Sequence, residues 1–226
     1  MGRNVKFDIG RLERKGFPEV VFAVGKSDEE ILSIMESVVL DKQPVVISRL
    51  TEARIRHIVK SYKGRGRFER GKSTLLLAPP GWRKPGRTGM GRVAVVTAGS
   101  SDSAAADEAI SILGFLGYSH GEFLDCGIAG IQRTFRAAEE VISGKYSVCI
   151  VFAGMEGALA SVFASLVPIP VIGVPTSNGY GFGGGGVAAL QSMLQSCVPG
   201  LLTVNIDNGV GAAAAAVSIL RSSDRQ

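Results

Sequence analysis

Histidine is nearly missing from this chain. Its 226 residues hold two, His57 and His120. His57 falls in a helical pattern near the N-terminus. His120 follows a helix at the edge opposite the glycine-rich strand ends. Neither a Ser-His-Asp nor a Cys-His arrangement is expected. Cysteine is scarce too, at three residues (Cys126, Cys149, Cys197). An odd number without paired spacing excludes a disulfide framework or a zinc site and suits a reducing cytosol. The opening segment, MGRNVKFDIGRLERKG, has no apolar stretch of the signal-peptide kind. Long uninterrupted apolar runs are absent as well. The longest candidate, 148–175, is broken by Glu156, Pro168 and Pro170 and reads as strand–helix–strand rather than a membrane span. A cytoplasmic protein without membrane contact is the expectation.

What the chain does have is glycine, 30 residues, and an apolar fraction of 46%. The first implies many tight turns or close backbone approaches to a ligand. The second is ample for a core and argues against disorder. The net charge of +5 is concentrated. Lys63, Arg65, Arg67, Arg70, Lys72, Arg83, Lys84, Arg87 and Arg92 face a single acid, Glu69, in that stretch. Such a block meets a phosphorylated substrate, an acidic partner face or nucleic acid. With only Phe68 and Trp82 interleaved, nucleic acid is disfavoured.

The chain divides by pattern into a small α/β N-terminal module (1–62), a basic linker segment (63–90) and a larger domain (91–226). Ser27, with Glu30 in capping-box position, starts a helix whose apolar face is Ile31, Ile34, Met35, Val38 and Val39. The strand PVVIS follows, then a helix capped by Thr51. TLLLA is a strand within the basic stretch. From Arg92 onward, near-continuous apolar strands alternate with helices, predicting a three-layer parallel α/β sheet covered on both faces. Ligands of such sheets bind at the carboxyl ends of the strands. Those ends carry Gly99-Ser100-Ser101-Asp102, Gly127–Gly130, Gly154–Gly157, Thr176-Ser177 and Asn205–Asn208. Asp102, Asp125, Glu156, Asp207, Arg133 and Cys197 are the candidate chemical groups, and a nucleotide-like ligand is expected.

Two literal motifs compete for that ligand. GRFERGKS (66–73) matches G-x-x-x-x-G-K-[ST], but a charged helix end precedes it and the strand-like TLLLA follows it. The helix N-terminus that would cradle phosphates is missing. GFGGGG (181–186) matches G-x-G-x-x-G and sits between a strand and a helix, with Asp207 ending the next strand. It would support an NAD(P)-dependent dehydrogenase. Its distance from the strand end at Thr176 argues against the tight turn that fingerprint demands.

GSSD (99–102), AGIQR (129–133) and AGMEGALASVFASLVPIPVIGVPTS (153–177) together resemble the PurE fold. GFPEVVFAVGK (16–26), VPTSNGYG, MLQSC (193–197) and VNIDNGVGA (204–212) extend the resemblance to the LarB family of nickel-pincer nucleotide biosynthesis. The fold it implies is PurE/flavodoxin-like. The activity it implies is pyridinium-3,5-biscarboxylic acid mononucleotide synthesis. Ring carbon 5 of nicotinic acid adenine dinucleotide is carboxylated with carbon dioxide or bicarbonate, and the phosphoanhydride is hydrolysed to release AMP. The residue types suit that chemistry. A thiolate adding to ring carbon 4 makes carbon 5 nucleophilic, and it can leave again afterwards. The resemblance assigns Cys197 as that nucleophile. Glu156 is the candidate base.

Gly99, Ser101, Asp102, Arg133, Gly154, Met155, Thr176, Ser177, Gly181, Asp207 and Lys26 are the expected substrate contacts. Ser101, Asp102 and Arg133 match ribose- and phosphate-binding positions. Gln132 stands where the family carries histidine, which removes the PurE mutase reading. No tightly bound cofactor is expected. Mg2+ could assist the hydrolysis, with Asp102 or Asp207 as ligands. A homo-oligomer, octamer or dimer, is implied, and the alanine-rich run 212–216 suits close helix contact. A non-catalytic nucleotide-binding subunit is the other alternative.

Overall fold

The computed structural model describes residues 8, 10–86 and 89–224. Arg87 of the basic block and the first seven residues lie outside them. The chain forms two compact units, Met1–Pro85 and Gly86–Gln226. Among the described residues no helix is long and apolar enough to cross a membrane.

The N-terminal unit contains α1 (Arg11–Lys15), β1 (Glu19–Phe22), α2 (Asp28–Leu40), β2 (Val45–Ser48), α3 (Glu52–Ser61), β3 (Arg67–Arg70) and β4 (Leu75–Ala78). The capping box forms: Glu30 N–H donates to Ser27 Oγ at 3.2 Å, and Ser27 N–H donates to Glu30 Oε2 at 2.9 Å. Thr51 Oγ1 accepts from Arg54 N–H at 3.3 Å to start α3. The sheet order is β1-β2-β4-β3, with β1 and β2 parallel and the remaining pairs antiparallel.

The basic stretch expected as a linker is therefore part of this sheet. Leu75, Leu76 and Leu77 are buried, so β4 can only be a central strand. It hairpins onto β3 through Gly71 and Thr74. This geometry also disposes of GRFERGKS, whose middle is β3 and whose end is the hairpin turn. Arg67 and Lys84 both pair with Glu69, the single acid of the block.

The second unit alternates β5 (Arg92–Thr97), α4 (Ser103–Leu116), β6 (His120–Phe123), α5 (Ile131–Ser143), β7 (Tyr146–Ala153), α6 (Ala158–Leu166), β8 (Val171–Pro175), α7 (Val187–Leu194), β9 (Leu201–Thr203) and α8 (Gly209–Ser223). All five strands are parallel, in the order β6-β5-β7-β8-β9. Side chains alternate across the sheet. Ala94, Val96, Cys149 and Val151 face the core beneath α5, α6 and α7. Their neighbours Val93, Val95, Val148 and Ile150 are equally buried on the other face, where α4 and α8 pack. Both faces are dry, which is why the strands read as unbroken apolar runs. Each large core side chain, such as Phe152 or Phe163, contributes roughly 1.5–3 kcal/mol by burial.

Three local expectations change. The helix expected through Cys197 ends at Leu194, with Gln195 as its C-cap, so Cys197 lies in the following turn. The approaching Val198-Pro199 disfavours helical backbone there. The last strand closes after Thr203 rather than running to Asn208. The alanine-rich run of α8 is spent within the chain: Ala212, Ala213 and Ala216 are buried. Gly209 lets α8 approach α4 closely, since a Cβ there would lie 2.9 Å from the Ala105 carbonyl oxygen.

Candidate active site

Strand order reverses between β5 and β7, and a ligand crevice is expected beyond the carboxyl ends of those strands. A pocket of about 280 Å³ lies there. It is lined by Ala98, Gly99, Ser101 and Asp102 after β5, Gly127–Ala129 after β6, and Ala153–Glu156 after β7. Ala158 and Leu159 of α6, and Asn178 after β8, complete it.

α4, α5 and α6 begin around this pocket without side-chain caps; α1 and α7 also lack them, whereas Ser27, Thr51 and Asn208 cap α2, α3 and α8. The first N–H of α4 already donates to the Ser100 carbonyl oxygen. Free first-turn N–H groups carry partial positive charge and suit an anion such as phosphate.

Asp102 forms the floor. It is 3% exposed. Oδ2 accepts from Gly99 N–H at 2.8 Å. Oδ1 accepts from the buried Thr176 hydroxyl at 2.6 Å and from Asn178 Nδ2 at 3.2 Å. Asn178 also donates to the Ser101 carbonyl oxygen at 3.0 Å. This carboxylate ties the ends of β5 and β8 together and fixes the pocket's backbone. Gly154 makes room for it: a Cβ there would sit 2.8 Å from Thr176 Oγ1 and 3.6 Å from Asp102 Oδ1.

Glu156 stands on the rim, exposed, between Met155 (φ 51°) and Gly157 (φ 68°). It does not cap α6, so its carboxylate is available to a ligand. Met155 lines the pocket beside it. Ser177 is exposed, and its N–H donates to Asp207 Oδ1 at 2.9 Å, so Asp207 serves as a brace for the loop after β8. Gly181 (φ 60°) lies in that loop. The loop runs as 3-10 turns with Gly184 and Gly185 outside helical geometry. Five residues separate the end of β8 from the glycine run, so the dinucleotide fingerprint is not formed. Arg133, in the first turn of α5, pairs with Asp125. Gln132 beside it is exposed.

Lys26 belongs to the N-terminal unit, where its carbonyl accepts from Arg54 Nη2 at 2.9 Å and its side chain is exposed. Asp102 does not fit the Mg2+ role, because it is buried and N–H and O–H donors engage both of its oxygens. Among the described residues no cluster of three histidine, cysteine or acidic groups could hold a metal.

Cys197 is exposed and free, but it is not among the residues lining this pocket. Three residues further on, the Gly200 carbonyl accepts from Val171 N–H at the amino end of β8. Beside Cys197, Ser161 of α6 donates to Ser196 Oγ at 2.8 Å. Ser161 lies one turn into α6, whose first residues Ala158 and Leu159 line the pocket, so Cys197 stands beside the helix that begins at the Glu156 rim. The other two thiols are core groups. Burial pushes Cys149 up to about 12 and raises Cys126 as well.

Sequence reasoning placed most of the pocket but missed Asn178 and the bond between Thr176 and Asp102. The signal was a polar T-S-N run directly off a buried strand.

Comparison with known proteins agrees with this architecture. The LarB/PurE-like N-terminal domain matches residues 2–75, and the AIR carboxylase family matches residues 92–226. The uncharacterized protein MJ0165 of Methanocaldococcus jannaschii is 40% identical over 214 residues, 92% of this chain and 80% of that protein. The N5-carboxyaminoimidazole ribonucleotide mutase of the same organism is 35% identical over 135 residues, 58% of this chain and 80% of the mutase. With an N-terminal domain of the first kind joined to a PurE-like parallel domain of the second, the chain belongs to the LarB family.

Proposed function

We propose that this enzyme of the PurE/LarB carboxylase–mutase type acts on nicotinic acid adenine dinucleotide, yielding pyridinium-3,5-biscarboxylic acid mononucleotide and AMP. The observation that carries the reading is the switch-point pocket, ringed by three uncapped helix N-termini with an unengaged Glu156 on its rim. Phosphate groups suit the helix ends. Glu156 suits proton removal from ring carbon 5.

The thiolate of Cys197 adds to ring carbon 4, converting the pyridinium to an enamine. Carbon 5 then bonds to the carbon of carbon dioxide. Loss of the carbon 5 proton to Glu156 and departure of the thiolate restore aromaticity. Water cleaves the phosphoanhydride to complete the balance.

We propose a homo-oligomer, as the family resemblance implies, with Cys197, exposed and free, beside the pocket-lining helix α6.

The test is incubation of the purified protein with the dinucleotide and bicarbonate, followed by chromatography and mass spectrometry. AMP and a doubly carboxylated mononucleotide are expected; ligand binding without turnover would leave only a nucleotide-binding subunit. Cys197→Ala and Glu156→Gln should each abolish carboxylation. Full carboxylation by either variant would refute the role assigned to that residue.

A further inference from the structure

Asp125 stands two residues beyond β6 with φ 57°, a conformation disfavoured for any residue with a Cβ. Thr97, at the end of β5, holds it there. Asp125 N–H donates to Thr97 Oγ1 at 3.1 Å, and the next N–H, of Cys126, donates to the Thr97 carbonyl oxygen at 2.8 Å. Thr97 is fully buried, so the anchor is firm. The turn aims the Asp125 carboxylate at α5, where Oδ2 accepts from Arg133 Nη1.

Only one corner of the guanidinium is taken. Its other edge lies over Gly130, where a Cβ would be 2.7 Å from Nε and 3.2 Å from Nη2. Any side chain at 130 would displace that edge. Gly130 directly precedes α5, whose N-terminus is uncapped, and residues 127–129 line the pocket.

We propose that Asp125 is a positioning residue. It pins Arg133 by one nitrogen and holds the guanidinium at the start of α5, beside Gly130 and next to the pocket wall of residues 127–129, where it can reach a substrate phosphate. Arginine suits this division because its planar fork offers separate edges to separate acceptors. The inference rests on the nucleotide reading above, and its test is separable from it.

Binding of inorganic pyrophosphate to the full chain, measured by calorimetry, is compared for wild type, Asp125→Asn, Asp125→Glu, Arg133→Ala and the Asp125→Asn/Arg133→Ala double variant. The pair is half-exposed, so the expected loss for Asp125→Asn is only about fivefold. Asp125→Glu should recover most of it. The double variant should bind no worse than Arg133→Ala alone, because the aspartate acts through the arginine. With the dinucleotide, Asp125→Asn should raise KM while leaving kcat nearly unchanged. Unchanged or tighter pyrophosphate binding by Asp125→Asn, full additivity in the double variant, or no pyrophosphate binding by wild type would each overturn the assignment. A wild type that binds pyrophosphate in the expected pattern yet does not turn over the dinucleotide sinks the functional reading and leaves the positioning role standing.

Discussion

Replacing Asp102 by alanine removes the acceptor of three hydrogen bonds at once. The donors are Gly99 N–H at 2.8 Å, the Thr176 hydroxyl at 2.6 Å and Asn178 Nδ2 at 3.2 Å. Their costs differ with burial. Thr176 is fully buried, so its hydroxyl finds no water and loses about 1–3 kcal/mol. Gly99 is half-buried and loses a comparable charge-assisted bond, whereas Asn178 is exposed and turns to solvent at little cost. The sum is roughly 3–5 kcal/mol, in the range for breaking a buried ionic network.

Asp102→Asn is milder. Its amide oxygen still accepts from Gly99, but its NH2 meets a donating hydroxyl and a donating amide, so about 1 kcal/mol is lost. Thr176→Val removes one donor and should fall between the two. Hydrogen exchange of the β5 and β7 amides reads the stability of this unit without interference from the N-terminal one. Exchange of those amides in Asp102→Ala within about 0.5 kcal/mol of wild type would show that the carboxylate is not the tie between β5 and β8.

Gly154→Ala should disturb the same tie from above. Its Cβ would press to 2.8 Å from Thr176 Oγ1, and overpacking of this kind costs about 1–3 kcal/mol, readable in the same exchange experiment. Glu108, 3% exposed, accepts from Val210 N–H at 3.0 Å and so caps α8 from α4. Glu108→Ala should lower the midpoint of urea unfolding by about 1–3 kcal/mol of stability, and Glu108→Gln, which keeps an acceptor, by less. Cys197 should react with a thiol reagent at once in the native protein, whereas Cys126 and Cys149 should react only after unfolding, which mass spectrometry distinguishes. Since burial raises Cys149 from 9.0 to about 12, its neutral form is favoured in the fold. The unfolded thiol ionises first, so stability is intact below the unfolded value and falls as pH rises from about 9 toward 12. Cys149→Ala should reduce that alkaline loss in a pH series of unfolding curves.

Much of the second unit was legible because its physics is local. A strand buried on both faces must be apolar throughout, as in β5 and β7, and the glycines and polar residues closing such strands mark the ligand end. Capping residues work the same way. Ser27 with Glu30, and Thr51, announce α2 and α3 because a cap is satisfied within three residues. The basic segment was misread for the opposite reason. The charges on β3 and its hairpin carry no local strand signal, and only pairing with the apolar β4 gives them a place in a sheet.

The sequence by itself determined the parallel α/β class and the family, and marked the glycine-rich strand ends. Each of those follows from short-range pattern or from resemblance along the chain. Tertiary structure alone decided the rest. Asp102 is a buried tie rather than a metal ligand because Thr176, seventy-four positions away, donates to it. Arg133 is aimed by an aspartate held on a different strand's threonine. Cys197 comes to lie beside α6 because the chain after α7 brings Ser196 within a hydrogen bond of Ser161. Partners so distant in sequence leave no periodic trace, since only the crossing of strands brings them together.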